Sequence, residues 1–205
     1  MITDYSDTAR CAAFGIALVA AVTLLTRIYL RTGEDGSVFG AISYLSQFFT
    51  ILTNAIIMVV MILIATGRNL SARWVKAVMI AIVIVGIVYH LLLAHLVEFT
   101  GLAFWADHGV HTVVPTLSLL WWLFLAPKLT FQWPDLGLWV VWPIVYCTYI
   151  LICASFSGFY PYPFLNLRKL GWNGLAVSIT SLLVSFIVMG LVITAIGRAI
   201  TVRKP

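Results

Sequence analysis

Phe48-Phe49-Thr50-Ile51-Leu52-Thr53-Asn54-Ala55-Ile56-Ile57-Met58-Val59-Val60-Met61-Ile62-Leu63-Ile64-Ala65 decides the fold class. These 18 residues hold no Asp, Glu, Lys or Arg. Coiled as a helix they extend roughly 27 Å at about 1.5 Å per residue, enough to cross the hydrocarbon core of a bilayer. The same segment reaches back to Ala41 through Ser43, Ser46 and Gln47, so it spans 41–65. Five further apolar segments lie at 11–29, 74–97, 109–126, 136–156 and 175–196. Over 205 residues, 62% are hydrophobic and 9% charged, with mean hydropathy +1.07. A soluble chain is about half apolar and about a quarter charged, and a small one has too much surface to hide such an excess. The expectation is an all-α polytopic membrane protein. It would form one domain over 1–205, a compact bundle of six transmembrane helices with short connections.

The formal charge of +5 does not point to nucleic acid, because the basic residues stand singly or in pairs at the ends of apolar runs. There they set topology, cytoplasmic loops being the richer in Lys and Arg. Arg10, Arg68, Arg73, Lys76, Lys128, Arg198, Arg203 and Lys204 fall on one side, against Arg27, Arg31, Arg168 and Lys169 on the other. Eight against four predicts both termini in the cytoplasm, in an inner (plasma) membrane. Arg27, at the end of the first segment, and Arg31, just after it, stand where a signal-peptidase site would fall, so that segment is expected to be retained. Cys11, Cys147 and Cys153 all lie within apolar runs and read as small apolar filler rather than a disulfide framework.

Polar side chains inside spans are costly and mark candidate sites. Thr50, Thr53 and Asn54 fall in the first turns of the second span, and Thr50 and Asn54, four apart, share a face. Tyr89, His90 and His95 close the third segment, where His95 reads as an interfacial anchor. Trp105-Ala106-Asp107-His108-Gly109-Val110-His111-Thr112 leads into the fourth segment, with Pro115 inside it. Asp107 is expected to be the N-cap of that helix, with His108 and His111 in its first turn. Pro115 has no N–H for the carbonyl of His111, four residues earlier. Tyr160-Pro161-Tyr162-Pro163 follows the fifth segment as an aromatic belt or a wall at a substrate mouth. Trp121, Trp122, Trp133, Trp139 and Trp142 are expected to form a cytoplasmic interfacial belt. Thr50, His111 and the Tyr-Pro loop are placed at one outer-leaflet depth, with His90 able to join them. A hydroxyl and an imidazole at matched depth are the minimum for nucleophilic catalysis.

Phe49-Thr50-Ile51-Leu52-Thr53-Asn54, the 105–112 stretch with Pro115, and Tyr162-Pro163-Phe164-Leu165 resemble three signatures of one family. Its eukaryotic members are the androgen-induced and androgen-dependent TFPI-regulating membrane proteins. The chain is more similar still to their bacterial six-helix branch, the Pr-six-Pr family. The likeness runs from the second segment to the sixth in the same order. It implies a threonine hydrolase cleaving fatty acid esters of hydroxy fatty acids (FAHFA), with Thr50 as nucleophile and His111 as catalytic histidine. Thr53 stands where the eukaryotic pattern has Asp or Asn, and Pro115 follows His111 by four residues rather than five.

The expected activity is therefore intramembrane hydrolysis of a lipid ester, with Asn54, His90, Asp107, His108, Tyr160 and Tyr162 in supporting or substrate-binding roles. No cofactor and no metal are expected, and the partners are membrane lipids. Two other classes fit the same residues. One is a transporter, binding or assembly protein that uses the polar cluster as a solute site. The other is a haem or metal protein built on His90, His95, His108 and His111.

Overall fold

The computed structural model describes residues 2–96 and 98–202, without the side chains of Ile2 and Thr3. Val97, the expected end of the third segment, and Arg203, Lys204 and Pro205 lie outside the described residues. The chain forms two compact units, Met1–Leu129 and Thr130–Pro205, and both are helical. Among the described residues, five helices are long and apolar enough to cross a membrane, or six if a sharply bent pair counts as one span.

The first unit begins with α1 (Asp7–Asp35). Ser6 caps its start, accepting from the Ala9 N–H, and Gly36 ends it in the left-handed region at φ 67°. The buried residues of α1 include Ala9, Ala13, Ala17 and Ala20, and these small side chains let the neighbouring helices approach closely. The expected second segment is broken. α2 (Val38–Leu45) and α3 (Phe49–Ala65) meet at 99°. Ser46 Oγ donates to the Ser43 carbonyl, and the Gln47 and Phe48 N–H groups turn back to Tyr44 and Leu45. These local bonds compete with helix continuation. The polar residues between Ser43 and Gln47 thus sit at a corner instead of within a span.

α4 (Ala72–Val88) is buried on all sides through Met79, Ile80, Ile82 and Ile84, as a helix apolar all round must be. It continues as a π-helical turn at Tyr89–Leu93. α5 (Gly101–His108), a second π-helical turn at Gly109–Val113 and α6 (Val114–Leu125) form one span. That span starts eight residues before the sequence predicts, so Asp107 is not an N-cap; Thr100 holds that position. Two tryptophans expected at the interface are core residues here. Trp122 is buried, and Trp121 is buried with its indole N–H donating to the Ala9 carbonyl at 2.9 Å. A two-residue antiparallel pairing of β1 (Ile2–Thr3) with β2 (Leu70–Ser71) ties the start of the chain to the connection after α3.

The second unit pairs α7 (Pro134–Ser157) with α8 (Leu167–Val202), which is interrupted at Gly171 (φ 65°). Trp139, also expected in the belt, is instead fully buried here, while Trp133 is exposed as expected. The Tyr-Pro loop forms a short 3-10 turn at Pro163–Leu165. Tyr162 is buried with its ring edge-on to Tyr146 and stacked on Phe164. Tyr160 is half-buried in the same loop.

Candidate functional site

The π-helical turn at Gly109–Val113 is the centre of the site, packed by α1, α3 and α4. Its cause is readable in the chain. The Val114 N–H bonds the carbonyl of Gly109, five residues back, and Pro115 has no N–H to offer. Pro115 therefore leaves the His111 carbonyl, four residues back, without an α-helical donor and, within the π-helical turn, the Val110 carbonyl, five residues back, without its own. Asn54 on α3 takes the latter: its Nδ2 donates to Val110 O at 3.0 Å and to Thr50 O at 2.8 Å. Asn54 is fully buried, so both bonds are made away from water. One amide thus joins the turn that carries Thr50 to the residue beside His111.

Gly109 allows α1 to reach this turn. A Cβ there would lie 2.3 Å from Thr23 Cγ2 and 2.8 Å from Thr23 Oγ1. One turn further along α1, Arg27 comes to 3.8 Å from Asp107 Oδ1.

Asp107 is 3% exposed and is held by three side chains. The Tyr89 hydroxyl donates to Oδ2 at 2.6 Å, His111 Nδ1 lies 3.2 Å from Oδ1, and Arg27 completes the set. A carboxylate this deep needs such compensation. His111 Nδ1 is also 3.0 Å from the backbone carbonyl of Asp107. A carbonyl only accepts, so Nδ1 carries the proton, and Nε2 keeps the lone pair of the neutral ring. The Tyr89 ring stacks on the imidazole at 3.9 Å and 9°. An acid that fixes the tautomer of an imidazole is the arrangement of a general base and its orienting group.

His111 opens onto a cleft of about 380 Å³ between α4 and α6. His90 and Thr112 line the same cleft, with His90 Nε2 3.0 Å from Thr112 Oγ1. The remaining walls are apolar, among them Val83, Ile87, Leu91 and Leu119. That volume is at the small end of ligand pockets.

Of the residues expected at the site, Asn54, His90, Asp107 and His111 gather around the two π-helical turns. Thr50 is buried in the first turn of α3, joined to them through Asn54. His108 is directed elsewhere: its Nδ1 donates to the Phe104 carbonyl at 3.1 Å, and its ring lies 4.0 Å from that of Phe104. Tyr160 and Tyr162 belong to the second unit. His95 is exposed, and among the described residues no three His, Cys, Asp or Glu side chains gather as a metal site. Sequence reasoning missed Arg27, Tyr89 and Thr112. The available signals were an arginine inside an apolar run and a tyrosine next to a histidine in a span. No family model, curated protein or solved structure matches the chain.

Proposed function

We propose that this protein is an intramembrane hydrolase that cleaves a lipid ester by acyl transfer to Thr50. The observation that carries the reading is the pair of buried Asp107 and half-buried His111, with Nδ1 protonated and the imidazole lining a mainly apolar cleft. In the first step Thr50 Oγ attacks the ester carbonyl while its proton passes to His111 Nε2. The ester C–O bond then breaks, and the leaving alcohol takes that proton. In the second step His111 accepts a proton from water as it attacks the acyl-threonine; the acyl–Oγ bond then breaks, the proton passes from His111 to Thr50 Oγ, and the fatty acid is released. Asp107 stabilises the imidazolium in both steps. The resemblance to the threonine hydrolases supports Thr50 and His111 in these roles and fatty acid esters of hydroxy fatty acids as the substrate class. The apolar walls of the cleft suit an acyl chain. The expected setting is an inner (plasma) membrane with both termini cytoplasmic and the site open to the outer leaflet.

Purified protein is expected to react with a fluorophosphonate probe, and Thr50→Ala and His111→Ala to lose the reaction. Undiminished labelling of Thr50→Ala would refute the nucleophile assignment. Peptide mapping of the adduct separates Thr50 from Thr112, the hydroxyl that lies against His90. A reporter fused after Pro205 is expected to read as cytoplasmic; an external signal would overturn the orientation.

A further inference from the structure

We infer that Tyr89 is the positioning residue of the acid–imidazole pair and that its hydroxyl, more than its ring, holds the Asp107 carboxylate where it secures the reactive tautomer of His111, as a second acceptor beside the Asp107 backbone carbonyl. This rests on His111 being the base of the proposed hydrolysis. Tyr89 is the one side chain described here that grips both partners. Its ring lies flat on the imidazole at 3.9 Å and 9°, and its hydroxyl donates to Asp107 Oδ2 at 2.6 Å. The two contacts act on different freedoms. Stacking limits tilt of the imidazole plane. The hydroxyl bond stops rotation of the carboxyl group, and so keeps Oδ1 within 3.2 Å of His111 Nδ1. Short bonds to an ionised carboxylate are the stronger kind, which suits this locking role.

The Asp107 backbone carbonyl, 3.0 Å from His111 Nδ1, accepts from the ring without orienting the carboxylate, and the other groups around the pair leave that task to Tyr89. From α1, Arg27 Nη1 stays 3.8 Å from Oδ1, a distance that neutralises charge without fixing geometry. From α3, Asn54 spends its amide N–H groups on Thr50 and Val110. On the Tyr89 π-helical turn, His90 is engaged with Thr112 and meets the Tyr89 ring only edge-on at 5.0 Å. On α5 itself, His108 is turned to Phe104. The π-helical turn at Tyr89–Leu93 begins at Tyr89, where its carbonyl accepts from the Ala94 N–H at 2.8 Å.

The test uses the full chain, labelled with 15N-histidine, in lipid nanodiscs. His111 is assigned by loss of its signal in His111→Gln. In the wild type the ring is expected to be protonated at Nδ1. Tyr89→Phe keeps the stack and removes the hydroxyl, so it should melt above Tyr89→Leu while its Nδ1–H share falls. Its fluorophosphonate labelling should slow by about tenfold or more, as for loss of a hydrogen bond to a charged group. Tyr89→Leu removes both contacts and should lose more of the Nδ1–H form. A wild-type tautomer ratio in Tyr89→Phe would overturn the proposal. So would a Phe variant that melts as low as the Leu variant and loses the Nδ1–H form equally, because that marks a packing role. A wild type that never reacts with the probe counts against the hydrolase reading alone, since the tautomer is read without any substrate.

Discussion

Replacing Gly109 with Ala tests whether the site depends on the close approach of α1. The new Cβ would sit 2.3 Å from Thr23 Cγ2, whereas carbon atoms rest at about 3.5–4.0 Å. Either α1 retreats by about 1 Å or Thr23 leaves its rotamer. Thr23 resists, being β-branched and bonded through Oγ1 to the Val19 carbonyl at 2.7 Å. Overpacking costs about 1–3 kcal/mol, and contact with a stiff side chain on a packed helix belongs at the upper end. Alanine recovers about 1 kcal/mol of helix propensity over glycine, which leaves a net loss of about 2 kcal/mol. Retreat of α1 also draws Arg27 away from Asp107 and strains the Asn54–Val110 bond. Unfolding by sodium dodecyl sulfate in mixed micelles, followed by tryptophan fluorescence, measures the stability change. Probe labelling measures the effect on the site. Adding Thr23→Ala removes the two worst contacts and leaves one at 3.1 Å to Cβ, so the double variant should recover most of the loss. A single Gly109→Ala variant within about 0.5 kcal/mol of wild type, the usual effect of a surface substitution, would refute this account of the packing.

Three other outcomes follow from the same structure. Thr50→Ala and His111→Ala should each slow probe labelling by about a hundredfold or more, and the double variant little further, because the two act as one unit; additive losses would separate them. In the second unit, Gly190→Ala puts a Cβ 2.1 Å from the Trp139 ring. It should lower stability by about 3 kcal/mol and be partly relieved by Trp139→Leu, and normal unfolding would contradict that contact. The Tyr5 hydroxyl is buried without a hydrogen-bond partner among the described residues, and burial pushes its pKa up to about 12 from 10.0. The raised value means stability is complete below pH 10 and falls as the pH rises from 10 towards 12, by about 3 kcal/mol at most. Tyr5→Phe should lack this fall in the same unfolding assay, and a parallel fall in both proteins would assign it elsewhere.

The apolar spans were legible because length and hydropathy alone define them, and the 105–112 stretch stood out because ionisable groups are rare at such depth. The break between α2 and α3 was not legible. Ser43, Ser46 and Gln47 read equally as the polar end of one long helix or as a corner, and only backbone geometry separates the two. Asp107 was misplaced for a related reason. Polar residues before an apolar run look like a cap, yet Asp107 lies seven residues into a helix, with Arg27 and Tyr89 from other helices to compensate it. Such partners depend on how each helix is rotated about its axis, which periodicity leaves open for spans that are apolar almost all round. The buried Trp121 and Trp139 mislead in the same way, since tryptophan suits both an interface and a core with a hydrogen-bond acceptor or a glycine opposite it.

The right-angle junction between α2 and α3 has a mechanical consequence. With α3 upright in a bilayer, α2 lies flat in the headgroup layer, and Phe39, 84% exposed, projects from it like a keel. The joint spans only residues 46–48, and Thr50 sits in the next turn. Lateral pressure on α2 therefore reaches the turn of Thr50, the proposed nucleophile, as torque, an input that a protein in water does not receive. Labelling of Thr50 should differ between nanodiscs of short-chain and long-chain lipids, and equal rates in both would show that the lever is slack.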